Sequence, residues 1–325
     1  MDVLVSFFSS IPAACAQGII WGIMAIGVYI TYKILDIADL TVDGSICTGA
    51  AVCAVMIVNG QPMWLALLAS VLAGMLTGLV TGIFHTFMGI PAILAGILTQ
   101  LILWSVNLKI MGAANTGLPS RKFDLLISRG DLFKSLIILE IVAIALIALL
   151  YLFFGTEFGS SIRATGANLN MSRAQGINTS FTKIIGLVIS NGIVALSGAL
   201  LAQYQGNADI NMGKGAIVIG LAAVIIGEAL FGWLSRNNFA LKLITVVLGG
   251  MVYYIVYTLV IILGLDADLL KMLSAILVAL FLAVPYWKKR YFSGANDVEK
   301  RQAKKAAKTQ KKANKKINKE VEKDA

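Results

Sequence analysis

Eight long apolar runs decide what this chain can fold into. They fall at about 14–35, 63–84, 91–110, 134–154, 181–204, 215–234, 239–264 and 269–287, and a shorter ninth at 44–58 begins in polar sequence. A bilayer core of about 30 Å takes roughly 20 helical residues at about 1.5 Å each, and nearly every run has that length. In hydrocarbon every backbone N–H and C=O must be paired within the protein, which leaves helices or closed barrels. The runs are unbroken blocks of Leu, Ile, Val, Ala and Gly, and the alternation of a barrel is absent. Composition agrees, at 58% hydrophobic and 14% charged, against about 45–50% and 25% in soluble domains. The expectation is an all-α integral membrane protein with about nine transmembrane helices (eight to ten), the second short or broken.

The net charge of +10 sits at one end. Residues 288–325 hold 14 Lys/Arg and 5 Asp/Glu, whereas residues 1–287 hold 13 and 12. This divides the chain into a transmembrane domain, 1–287, and a Lys-rich tail, 288–325, read as disordered or loosely helical. The tail has two arginines and little aromatic content, so base stacking is not available and nucleic acid is not the expected partner. Anionic headgroups are. Basic residues favour the cytoplasmic side of a membrane, and the tail dominates the count. The C-terminus is therefore placed in the cytoplasm and the N-terminus outside, in a multi-pass cell-membrane protein. The cost is one outer loop carrying Arg121, Lys122, Arg129 and Lys134.

Within the spans polar residues are few. Glu228, in "IIGEALFG", is the one acidic residue unambiguously deep in a run; it lines the inner pathway or pairs with Arg236 or a residue of 163–178. Gln100, Asn191 and Gln203 contact a solute or cross-link helices. Asp36, Asp39 and Asp43 surround the entry to 44–58, where aspartates suit helix N-termini. A broken helix there would have to line protein or a cavity, which makes Thr41, Asp43, Gly44 and Ser45 pathway candidates, with Lys33 neutralising one of the aspartates. Gly74, Gly78 and Gly82, and Gly18 and Gly22, recur at four-residue spacing, which lets helices approach closely in lipid. Cys15, Cys47 and Cys53 have no metal spacing, and His85 has no partner ligands in sequence, so no metal site is expected. No arrangement suggests catalysis in this chain.

The segment 162–181, "IRATGANLNMSRAQGINTSF", is polar where its surroundings are not. Asn168 is a good N-cap, 169–175 favours helix, and Gly176 suits the left-handed position that ends one. A simple connector needs only a few residues. "RATGANLNMSRAQGIN" resembles the cytoplasmic coupling segment of permease subunits in ABC importers of the branched-chain-amino-acid/ribose class. "LDIADLTVDGSICTGAAV" (35–52) resembles the family's entry into its second span. "QYQGNADINMGKGAIVIGLAAVIIGEALFG" (203–232) is similar to the same region of its tryptophan/tyrosine permease subgroup.

The resemblance implies a homodimer, or a pair of similar subunits, forming one pathway. Two ATPase subunits would bind ATP and Mg²⁺ beneath it, and an extracytoplasmic binding protein would deliver the solute. On the matching positions it makes 155–180 the coupling segment, with Arg163, Asn168, Met171, Arg173 and Gly176 as the docking residues. The chain has no GxxxxGK[ST]; "MGKGA" at 212–216 lacks both the upstream Gly and the Ser/Thr, so this chain binds no nucleotide cofactor of its own. The expected solute is an amino acid or similar small organic molecule, an aromatic one on the subgroup likeness. The rival from another class is an ion-driven secondary transporter with Glu228 as relay.

Overall fold

The computed structural model describes residues 2–119, 122–123, 125–234 and 238–262, with scattered positions from 272 to 283. Arg121, Arg236, most of the 269–287 run and the Lys-rich tail lie outside the described residues. The elements that follow belong to the unit Met1–Val278.

The eight runs that fall on described residues are all helical. α1 (Asp2–Tyr29) starts well before the run at 14–35 and closes with a π-helical turn, Ile30–Ile34. Then come α2 (Val42–Val58), α3 (Met63–Thr86), α4 (Ala92–Met111), α5 (Leu132–Gly155), α6 (Glu157–Ala167), α7 (Leu169–Ala174), α8 (Thr179–Gln205), α9 (Ala216–Phe231) and α10 (Phe239–Ile262). Six of these segments are long and apolar enough to cross a membrane, and α2 and α9 are shorter apolar helices. Of the most apolar stretches of α1 and α8, 83% and 78% is buried, against 22% for α5. α1 and α8 therefore form the core. α5 buries a single stripe, Leu139, Ala143, Ile147, Leu150 and Phe154, at helical spacing.

The glycine repeats pack within the subunit. Gly74, Gly78 and Gly82 of α3 lie on the backbone and side chains of Asn191, Leu187 and Ile184 of α8. Gly18 and Gly22 of α1 lie on Met251 and Val247 of α10. A Cβ at position 78 would collide with the Leu187 carbonyl, and backbone cannot step aside as a side chain can. A Gly78→Val variant is therefore expected to lose about 1–3 kcal/mol or more, read as a lower Tm of the detergent-solubilised chain.

The second apolar helix, α2, is short and unbroken, and the irregular stretch lies before it. After the π-helical turn the chain reverses at Asp36, whose φ of 56° is left-handed, a region Asp enters more readily than most residues. Residues 36–39 then run without regular structure before α2 begins at Val42. This stretch is covered in part: Ile37 and Asp39 are buried while Asp36 and Ala38 are exposed, Leu35 meets Gly186 of α8, and Leu40 and Thr41 meet Gly96 of α4. Non-helical backbone is tolerated at membrane depth only under such cover.

One feature departs from an all-helical reading. β1 (Asn115–Gly117) and β2 (Asn207–Asp209) pair antiparallel, Asn115 opposite Asp209. They join the loop after α4 to the loop after α8, at the end of the bundle opposite α6 and α7.

Candidate functional site

Two features carry chemistry: a polar elbow at one end of the bundle and a cavity toward the other.

The elbow is α6 and α7. Three side chains, the expected N-cap Asn168 among them, begin its helices and the next. Thr156 Oγ1 accepts from Gly159 N (3.2 Å), Asn168 Oδ1 from Met171 N (3.0 Å), and Asn178 Oδ1 from Phe181 N (3.1 Å). Each satisfies an N–H that a helix start leaves unpaired. Gly176, at φ 80°, turns the chain after α7. The expected short helix after Asn168 is present; α6 before it was not foreseen.

The elbow is fixed to the bundle. Thr165 and Thr182 hydroxyls share a hydrogen bond of 2.9 Å, and the rings of Phe158 and Phe181 meet edge-on at 5.9 Å, both linking α6 to α8. Gly166 packs on the Ile34 carbonyl. The Arg163 guanidinium donates to the Phe154 carbonyl (2.8 Å) and reaches Ser160 (3.3 Å), so it ties α6 to the end of α5. Arg173 Nε donates to Thr179 Oγ1 at 3.1 Å. What α7 presents outward is Asn170, Met171, Arg173, Ala174 and Gln175, with Ser172 turned inward. Met171 is 59% exposed, an apolar side chain at the tip of a polar, water-facing segment.

At the entry to α2 the polar candidates converge on one another. Asn191, midway along α8, donates through Nδ2 to Asp39 Oδ2 (2.7 Å) and accepts through Oδ1 from Ser45 (2.6 Å). Ser45 also meets Thr77 at 2.6 Å. Asp39 Oδ1 accepts from Thr41 N at 2.9 Å. Thr41 meets Thr81 at 2.7 Å, and Thr81 donates to Thr99 at 2.9 Å. All seven residues are buried. Thr41, Ser45 and Asn191 thus cross-link α2, α3, α4 and α8. Interhelical hydrogen bonds in membranes contribute about 1 kcal/mol each. Gln203 is also engaged: it is buried, accepts from Leu126 N at 3.0 Å and donates to Cys53 Sγ at 3.4 Å.

Asp43 behaves differently from the N-cap expected of it. It lies in the first turn of α2, yet its carboxylate reaches across to α9, accepting from Gly215 N and Ile217 N at 2.9 Å each. It thereby caps the positive end of a helix far away in sequence. Among the described residues Glu228 pairs with Lys33, Nζ to Oε2 at 2.9 Å, and not with the 163–178 segment, and Lys33 has no ion pair with an aspartate; Arg236, the other expected partner, lies outside the described residues. Both side chains are partly exposed, 46% and 40%.

Asp43, Gly44 and Gln100 do meet at one place. With Cys47, Trp104, Asn107, Ile210 and Lys214 among their neighbours they line a cavity of about 280 Å³ between α2, α4 and the loop before α9. Asn107 and Lys214 were not singled out in the sequence for this site. The signal for Asn107 was available: it lies seven residues after Gln100, two turns along the same helix face. Among the described residues no cluster of His, Cys, Asp or Glu could hold a metal.

Such a chain is a multi-pass membrane protein whose buried polar side chains hold the entry to a short apolar helix. The chain belongs to the family of branched-chain amino acid transport system permease components, which matches residues 10–285. It is 40% identical over 275 residues to a tyrosine transport system permease protein of Clostridioides difficile, covering 85% of this chain and 91% of that one. An uncharacterised protein of Rickettsia prowazekii is 35% identical over 275 residues, 83% and 95% of the two chains. A shorter match, 32% over 91 residues, is to the xylose transport system permease of Haemophilus influenzae, covering 27% and 24% of the two chains. Among solved structures, PsaBC from Streptococcus pneumoniae in complex with Fab matches with a TM-score of 0.51 at 15% identity, over 89% of this chain and 99% of that chain. That likeness concerns the fold alone.

Proposed function

We propose that this chain is the transmembrane subunit of an ATP-driven importer for amino acids, with tyrosine or a similar aromatic amino acid as the solute. The identity to the tyrosine system permease over most of both chains supports the solute. The observation that carries the ATP-driven reading is α7: a capped helix, braced on α8, with Met171 and Arg173 exposed at its tip. Such a surface suits a groove on a separate ATPase that binds ATP and Mg²⁺. Asn168 and Gly176 shape it, and Arg163 sets its angle. Two copies of the chain form one pathway, which Asp43, Gly44 and Gln100 help line, while Thr41, Ser45, Asn191 and Gln203 hold the helices around it. The segment 155–180 and the C-terminal tail are cytoplasmic, the tail on anionic lipid. The N-terminus and the β1–β2 end are outside, where a substrate-binding protein docks.

Movement of the ATPase pair would carry α7 and α6, and through the Thr165–Thr182 and Phe158–Phe181 contacts the start of α8. Asn191 lies on that same helix and holds Asp39 and Ser45 at the entry to α2. Opening and closing of the two sides would thus be driven from one rigid element.

The ion-driven rival places Glu228 at a relay. Its pairing with Lys33 in a partly exposed position makes it a screened ion pair, worth about 1 kcal/mol or less. In proteoliposomes containing the chain, its ATPase and its binding protein, tyrosine uptake is expected to need ATP. The Glu228→Gln variant is expected to keep more than half of that uptake with the same pH profile. Uptake driven by a proton or Na⁺ gradient without ATP, and abolished by Glu228→Gln, would establish the rival instead.

A further inference from the structure

The cavity between α2, α4 and the 206–215 loop contains a side chain that the fold leaves unserved. Asn107 is 1% exposed, and neither its Nδ2 nor its Oδ1 has a hydrogen-bond partner among the described residues. A buried primary amide can donate twice and accept twice, and leaving all of this unmet is costly. The cost is understandable if the partner is transient. We propose that this cavity is the resting place of the solute within the membrane, and that it takes a single zwitterionic α-amino acid; the inference rests on the permease reading above.

The walls argue for that class. Lys214 contributes a cation whose ammonium has no hydrogen bond or ion pair among the described residues, suited to an α-carboxylate. Asp43 contributes an anion that accepts backbone N–H groups at the start of α9 and keeps lone-pair capacity for an α-ammonium. Charges of both signs in one small cavity match a zwitterion better than a sugar, which carries neither. Gln100 and Asn107, two turns apart on α4, supply neutral donors and acceptors between them. Trp104 and Leu101 form an apolar wall, 47% and 64% exposed, for the side chain. At about 280 Å³ the cavity is at or below the small end of ligand pockets, roughly 300–1,000 Å³, which suits one free amino acid and not a peptide. Charges in such a site are shared by α2, the α9 start that Asp43 caps, and the loop that holds Lys214. Occupancy therefore touches the start of α2 and α9 together.

The test is Asn107→Leu in the complete complex, with L-tyrosine as the probe and two readouts. An amide that serves only the solute can be replaced by an apolar group of similar size without loss to the fold, so Tm in detergent is expected to stay level or rise. ATP-driven tyrosine uptake is expected to fall at least tenfold, while ATPase activity stimulated by the tyrosine-loaded binding protein remains. Lys214→Met is expected to lower uptake in the same way. If Asn107→Leu lowers Tm, the amide has a structural partner and the proposal is wrong. If the unmodified complex takes up tyrosine and Asn107→Leu does so equally well, the solute does not use this cavity and the permease reading stands. If the unmodified complex takes up no amino acid, the solute assignment fails and this site falls with it.

Discussion

Met171→Glu is expected to reduce ATP-driven uptake at least tenfold without altering the Tm of the isolated chain. Met171 is 59% exposed, so the fold has little reason to respond. A carboxylate placed where an apolar side chain enters a partner's groove must instead be desolvated on docking, a loss of several kcal/mol if it is left unpaired. The readout pairs uptake with co-purification of the ATPase, and both are expected to fail together. Met171→Leu, which keeps the apolar contact, is expected to retain both. A Met171→Glu complex that transports normally would remove α7 from the coupling surface. Arg173→Glu is a less clean variant, because Arg173 also donates to Thr179 at 3.1 Å.

The second large effect is on the fold itself. Asn191→Leu removes the donor to Asp39 and the acceptor for Ser45, both buried. The carboxyl of Asp39 then keeps only Thr41, through its N–H and side chain, and losing the Asn191 donor is expected to cost about 3 kcal/mol or more. The single variant should be recovered from detergent in low yield with a clearly lower Tm. Asp39→Asn added to Asn191→Leu preserves an oxygen for Thr41 while removing the ionisable group. The double variant is expected to regain more than half of the lost Tm, because a stranded amide is cheaper than a stranded carboxylate. Additive losses would mean that Asp39 and Asn191 do not act as a pair.

The spans were legible because apolar length is a local property. The runs 63–84, 91–110, 134–154 and 181–204 became Met63–Thr86, Ala92–Met111, Leu132–Gly155 and Thr179–Gln205. α7 was legible because a cap and a left-handed glycine bracket it. α6 was not, since "EFGSSIRATGA" reads against helix propensity, with two glycines and two serines. The structure supplies the reason: Gly159 and Gly166 lie directly on the backbones of Phe153–Phe154 and Ile34–Leu35. Tertiary packing, and not propensity, makes that helix. The β1–β2 pair was invisible for a related cause, because three residues carry no period and their partners come from another loop.

For the site, residue type was readable and partnership was not. Thr41, Ser45 and Asn191 were identifiable as polar residues in apolar runs, but nothing in the sequence says that they bond to one another. Thr77, Thr81 and Thr99 escaped notice because threonines commonly bond to their own helix carbonyls, as Thr77 and Thr99 also do here. Asp43 looked like a cap for the helix it begins and instead caps α9. Glu228 required a partner, and a residue in another helix, Lys33, supplied it. Asn107 is significant only because its buried amide lacks a hydrogen-bond partner among the described residues, and that cannot be seen until the helices are assembled.

The most direct test of ATP-driven transport through α7 is affinity purification of the intact chain from its native membrane in mild detergent, followed by mass spectrometry. A P-loop ATPase is predicted to co-purify in near-stoichiometric amount, and to be lost from the Met171→Glu chain. Recovery of the chain with no ATPase in either sample, together with ion-driven uptake by the chain alone, would contradict the account.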